Sequence, residues 1–228
     1  MSGARVLRHH LADRLYHWTM AAALLTCLFT AFLPILGWKF EWVTAHWIAG
    51  IVLTVAVLFH IVRALFWQDF WSMVIGPRDL QKSWRLVARA LGFGGGSPPQ
   101  RDAEYSPLQK SFHMLVAVVV IAIVATGLLM LSKIDTPLWR RNPYWLADSQ
   151  WGLIYAIHGL FAMAMITLIM AHIYFAVRPE KLWMTRSMFQ GWISREDYLR
   201  HHDPQRWPVP DTQPAQHEGG GTAYSAGE

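Results

Sequence analysis

The chain has 228 residues, 54% hydrophobic and 15% charged, with a formal net charge of +5, 13 Trp, 11 His and one Cys. Soluble domains usually carry about 25% charged residues; the deficit here, and charges that avoid four long stretches, exclude an ordinary soluble fold. The lone Cys27 excludes an intrachain disulfide, an intrachain Cys-ligated iron–sulfur cluster and a CxxCH haem attachment, and no P-loop, zinc-protease or nucleophile-elbow motif occurs.

An N-terminal arm with Arg5, Arg8 and Arg14 leads into the first charge-free run. Four such runs, 15–36, 43–62, 111–132 and 151–177, predict transmembrane helices over about 15–36, 43–66, 111–132 and 151–177, each long enough as a helix for a hydrocarbon core of ~30 Å. The first run is too long for a signal peptide, and no small-residue cleavage site follows it. Trp38, Trp42 and Trp47 mark the first turn, Trp67 and Trp71 the next, and Trp139, Trp145 and Trp151 the third, as expected of amphipathic rings at headgroup depth. After Gly76-Pro77, residues 79–91 place Leu80, Trp84, Val87, Ala88 and Leu91 on one helical face. Lys82, Arg85 and Arg89 lie on the other, which predicts a basic amphipathic helix resting on the membrane surface. Gly94-Gly95-Gly96-Ser97-Pro98-Pro99 reads as a loop, and the chain beyond 210 as a disordered tail.

Of the 20 Lys and Arg residues, 16 lie in the N-terminal arm, the second connection and the C-terminal segment. The opposite side keeps only Lys39, Lys133, Arg140 and Arg141. This asymmetry predicts four helices running up and down with both termini cytoplasmic. It also makes the net charge a topology signal and not a sign of nucleic-acid binding.

Six histidines lie in or beside the spans: His17, His46, His60, His113, His158 and His172. Ionisable residues in a membrane helix are costly and point to function, although any one of them can serve as polar glue between helices. His158 and His172 are 14 residues apart, which returns them to within ~40° of one helical face and separates them by ~21 Å. Two imidazoles on one face, one near each membrane surface, suit two stacked haems, each needing a second axial ligand at matching depth. His46 begins the second span level with His158, and His17 begins the first level with His172. His60 also lies 14 residues from His46, so spacing alone leaves His17 or His60 as the partner of His172. Two axial histidines suit low-spin electron-transfer haem with no coordination position open to substrate. Gly50, Gly127 and Gly159 remove side chains where a flat macrocycle would approach, as they equally would for close helix packing.

The segments Asp13-Arg14-Leu15-Tyr16-His17-Trp18, His46 with Gly50, Thr126-Gly127 and the His158/His172 pair resemble the cytochrome b (gamma) subunit of membrane-bound respiratory formate dehydrogenases. The resemblance runs from Ala12 to Trp207. It is most specific in Gly191-Trp192-Ile193-Ser194-Arg195 and His201-His202-Asp203-Pro204, similar to the stretch that follows that family's fourth helix. It implies an all-α fold: a four-helix up-down transmembrane bundle with two b haems over residues 1–185, a cytoplasmic segment at 186–210 and a tail at 211–228. It makes His46 and His158 the ligands of the outer haem and His17, in preference to His60, the partner of His172. It also puts a quinone pocket near the start of the third span, matching Tyr105–Lys110 with Ser106, Gln109 and Lys110 as its residues, although Ser106 and Leu108 stand where the family has Asn and Gly; His113, by position alone, reads as a further quinone contact, a haem-propionate contact or a packing residue.

The implied role is a membrane-anchoring electron conduit. Electrons would pass from an iron–sulfur subunit and a molybdenum- or tungsten-containing dehydrogenase through two haem b groups to menaquinone or ubiquinone, the substrate-oxidising chemistry lying in the partner. On this reading, deleting 186–207 weakens association with the iron–sulfur subunit and leaves both haems bound. Rival readings are a stand-alone di-haem oxidoreductase linking quinone and superoxide, the cytochrome b subunit of a hydrogenase or another molybdoenzyme, and a haem-free membrane protein whose histidines only join helices.

Overall fold

The computed structural model describes residues 5–67, 76–90, 92–93, 105–137, 139–205 and 207–209. Among them are four long apolar helices: α1 (Leu11–Phe32), α2 (Trp42–Phe66), α4 (Pro107–Leu131) and α5 (Asp148–Val177), all long and apolar enough to cross a membrane. A shorter helix, α3 (Pro77–Ala90), joins the two halves, and α6 (Leu182–Gln190) and α7 (Arg195–His201) follow the last span.

These helices begin where caps allow and not where charge stops. The Asp13 carboxylate accepts the His10 backbone N–H at 3.2 Å, so α1 starts at Leu11, ahead of the charge-free run at 15. Ser106 and Gln109 cap each other reciprocally, which starts α4 at Pro107 in place of 111. Gln150 accepts the Ala147 N–H at 2.9 Å, which starts α5 at Asp148 in place of 151. At its far end α1 stops at Phe32, short of the expected 36. Pro34 has no N–H to continue the ladder, and Gly37, at φ +91°, turns the chain toward α2. Helix α3 runs from Pro77 to Ala90; Leu91, Trp71 and the chain beyond 210 lie outside the described residues.

α1 packs along α2 and α4 along α5, two antiparallel hairpins that meet chiefly through α2 and α4. Their shared core is a central apolar layer of Ala23 and Leu24, Leu53 and Val57, Val119, Val120 and Ile123, and Met165. Met165 is 1% exposed and sits seven residues from both His158 and His172. Outward-facing side chains such as Leu25, Phe29, Val55, Leu58, Leu115, Ile121, Leu153 and Leu160 are exposed and apolar, as a lipid-facing surface requires. Helix α3 turns Leu80 and Trp84 away from the protein. It holds α4 through its polar side, Ser83 against Ser111 at 2.9 Å and Asp79 against Lys110 at 3.8 Å.

The first described segment and the one after α6 meet at one end of the bundle. Strand β1 (Arg5–Leu7) pairs antiparallel with β2 (Trp192–Ser194), with Val6 opposite Ile193. Val6, Ile193 and Tyr198 form a second small core with Trp183, Trp207 and Val209 against it. Arg8 is buried there, 3.0 Å from His202 Nε2, with its guanidinium over the rings of Trp183 and Trp207. Gly191 is the pivot: at φ +87° its carbonyl accepts the N–H groups of Arg8 and His9.

Candidate functional site

At the end of the bundle away from the β1/β2 pairing, α2 presents His46 and α5 presents His158 with ring centroids 6.4 Å apart. His46 Nδ1 lies 3.1 Å from the Cys27 carbonyl and 3.0 Å from Thr30 Oγ1. A carbonyl only accepts, so Nδ1 carries the proton and donates. His158 Nδ1 lies 2.9 Å from Thr126 Oγ1, whose own hydroxyl donates to the Ala122 carbonyl at 2.6 Å. Thr126 therefore accepts from His158 Nδ1–H. Both rings are fixed in the tautomer that leaves the Nε2 lone pair free, the arrangement that second-shell partners impose on metal-binding histidine.

Gly127 completes this site. A Cβ there would stand 3.3 Å from His158 Cε1, whereas at Gly50 and Gly159 it would meet nothing within 4 Å. Gly127 gives the ring its place; the other two leave open surface.

At the end nearer the β1/β2 pairing, α1 presents His17 and α5 presents His172, with centroids 6.2 Å apart. Phe112 of α4 stacks on His172 at 6.1 Å and 15°. His60, the alternative partner of His172 on spacing, instead faces His113 of α4 at 5.9 Å and stacks on Tyr16 of α1 at 4.5 Å and 6°. This end thus carries one histidine from each long helix, arranged as two pairs. An ion pair between Asp13 and Arg63 at 3.0 Å, about one turn from both His17 and His60, ties α1 to α2 beside them.

The pair dimensions suit an iron held between two imidazoles. Two collinear metal–nitrogen bonds of about 2 Å together with the half-widths of two rings span about 6.4 Å. Among the described residues no three His, Cys, Asp or Glu side chains converge on one point. The donors come in twos, the number a tetrapyrrole leaves for the protein. The Nδ1 contacts at His46 and His158 fit the same chemistry.

The residues expected for a quinone pocket have other partners. Ser106 and Gln109 spend their polar groups on each other, the Gln109 amide also reaches Met184 Sδ at 3.2 Å, and Lys110 pairs with Asp79. Only His113 points a buried ring nitrogen, Nδ1, at no hydrogen-bond partner among the described residues. Sequence reading missed Thr30, the Cys27 carbonyl and Tyr16. Thr30 is one of three threonines in α1, with Thr19 and Thr26, so its residue type alone does not single it out; for a backbone carbonyl there is no signal at all.

No curated protein matches the sequence. The family model described as prokaryotic cytochrome b561 matches residues 8–191, from buried Arg8 through all four spans to the Gly191 pivot. That match is broader than the resemblance to formate dehydrogenase subunits, and it carries haem b binding and membrane electron transfer with it. On the length of that match, this chain belongs to the prokaryotic cytochrome b561 family.

Proposed function

We propose that this cytochrome carries electrons through two haem b groups, one held by His46 and His158 and one by His17 and His172, to a membrane quinone. The observation that carries the reading is the pairing itself. One helix offers imidazoles 14 residues apart, each facing a second imidazole at 6.2–6.4 Å, with the Met165 layer between them.

His46, His158, His17 and His172 would hold the haem b groups, which would supply a one-electron iron couple when bound. Cys27, Thr30 and Thr126 keep His46 and His158 in the ligating tautomer. Leu24, Leu53, Val120 and Met165 exclude water between the two levels, so that region is dry and of low dielectric. The Lys/Arg asymmetry supports cytoplasmic termini, with the His17/His172 level at the cytoplasmic side of an inner membrane and His46/His158 at the outer side. Electrons then move inward from an outer iron–sulfur donor of a formate dehydrogenase-like complex, while quinone reduction draws protons from the cytoplasm.

One observation favours a second reading, a stand-alone di-haem oxidoreductase. The C-terminal segment that resembles a complex-forming tail is folded onto the chain's own N-terminal strand. Co-purification from native membranes separates the two: a stoichiometric iron–sulfur partner supports the complex, and an isolated chain that exchanges electrons with quinol supports the alternative.

The haem assignment is tested by haem content per polypeptide and the reduced-minus-oxidised spectrum of the detergent-purified chain. Two haems are expected in the parent protein. Replacing His46 or His158 by Ala removes one, replacing His17 or His172 removes the other, and His60→Ala removes neither. A single haem in the parent, or loss with His60→Ala, overturns the assignment.

A further inference from the structure

The His60/His113 pair has no part in the wire just described, yet it lies at the same level as His17/His172. We propose that His60 and His113 form a proton-delivery pair, in which His113 protonates a quinone reduced at this end of the bundle and His60 returns the proton from the aqueous face. The inference rests on the quinone-reducing reading above and assigns chemistry within it.

Three observations carry it. First, the two rings approach to 5.9 Å at 74°, close enough for one water or one quinone oxygen to bridge them. Buried His113 Nδ1 lacks a partner among the described residues, a desolvated polar atom that a bridging oxygen would satisfy. Second, the pair adjoins the electron path. Phe112 stacks on His172, and the next residue, His113, faces His60, so one turn of α4 touches both. Third, the route outward is polar. The stacked Tyr16 ring holds His60 in place, and the Asp13–Arg63 ion pair lies one turn nearer the β1/β2 pairing. The charged and titratable groups around His60 are thus Asp13 and Tyr16 from α1, Arg63 from α2 and His113 from α4.

The step balances simply. A quinone receives two electrons, one at a time, and two protons. At the quinone oxygen beside the pair, one O–H bond forms as His113 gives up an N–H proton and His60 replaces it from bulk water past the Asp13–Arg63 ion pair; the opposite oxygen takes its proton from water directly. No bond in the protein other than N–H is broken.

The test uses the full-length, haem-loaded protein in detergent, chemically reduced and then mixed with either duroquinone or ferricyanide. Duroquinone needs protons to become a quinol; ferricyanide takes an electron alone. His60→Gln and His113→Gln are expected to keep full haem content and an unchanged spectrum. They are expected to be reoxidised by ferricyanide at the parent rate and by duroquinone about 100-fold more slowly, the scale of a lost general acid. Added free imidazole should restore part of the rate, and the fall in duroquinone rate with rising pH expected of the parent should flatten in the variants. Unchanged duroquinone rates in both variants overturn the proposal, as does equal slowing with ferricyanide or loss of a haem. A parent protein that ferricyanide oxidises and duroquinone does not overturns the quinone reading itself, and the relay with it.

Discussion

At the scale of single residues, the far-end site depends on where one hydrogen atom sits on each imidazole. Thr126 can receive the His158 Nδ1 proton because its own hydroxyl is committed to Ala122, one turn earlier in the same helix. Thr126→Val keeps the shape and removes the acceptor, so haem retention at this level should weaken by about 10–100-fold, the usual cost of a lost second-shell partner. Competition with apomyoglobin measures it; unchanged retention would mean the hydroxyl has no orienting role. Gly127→Val acts by sterics, since its Cβ would already lie 3.3 Å from His158 Cε1 before the two methyl groups are added. Only the far-end haem should be lost. The histidines were legible in the sequence because a 14-residue repeat on a helix is a geometric statement. Thr30 was not, and Thr126 entered only as part of a motif resemblance, because a hydroxyl in a membrane helix can satisfy itself on its own backbone, and nothing local tells which one also serves a ring on another helix.

At the scale of elements, the four spans were readable from apolar length, but their ends were not. A charge-free run records how much of a helix meets lipid, while the helix itself continues to the nearest cap, as Asp13, Ser106 and Gln150 illustrate. The β1/β2 pairing was illegible for a different reason. Strands of three residues have no periodicity to read, and their partners lie at opposite ends of the sequence. The pairing converges on Gly191, where a Cβ would stand 3.0 Å from the His9 carbonyl oxygen at a φ that side chains disfavour. Gly191→Ala should therefore loosen the cap by about 1–3 kcal/mol, seen as faster trypsin cleavage after Arg5 and Arg8 with the spans intact. The cap should also respond to acid. Burial pushes His9 down to about 4, with Arg8 beside it adding to the fall, and burial, reinforced by Lys181, lowers His201. Both favour the neutral ring when folded, so the unfolded segment takes up protons first. Cap stability should be complete above pH ~6.5 and decline as pH falls from there toward 4. Hydrogen exchange at Val6 and Ile193 across that range measures it, and the double variant His9→Gln, His201→Gln should flatten the response.

At the scale of the whole molecule, the cap closes the chain on itself next to a histidine pair. Arg14 donates to the Phe189 carbonyl, the Trp18 indole donates to the Met188 carbonyl at 3.2 Å, and Arg8 and His9 donate to Gly191. These bonds fix the first turns of α1, and His17 sits in the second. The resemblance implies that 186–207 is a handle for a partner whose removal spares both haems; the contacts just described predict instead a clamp that sets the position of His17. The two ideas part on one deletion. Removing 186–210 takes away the Met188, Phe189 and Gly191 carbonyls together with β2, α7 and the Trp207 side of the small core, and leaves the four spans intact. If the segment is a clamp, haem at the His17/His172 level should bind more weakly and titrate over a broader potential range. The His46/His158 level, at the opposite end beyond the Met165 layer, should keep its spectrum and stoichiometry. Equal retention of both haems after the deletion, together with loss of a co-purifying subunit, would return the segment to the role of a handle.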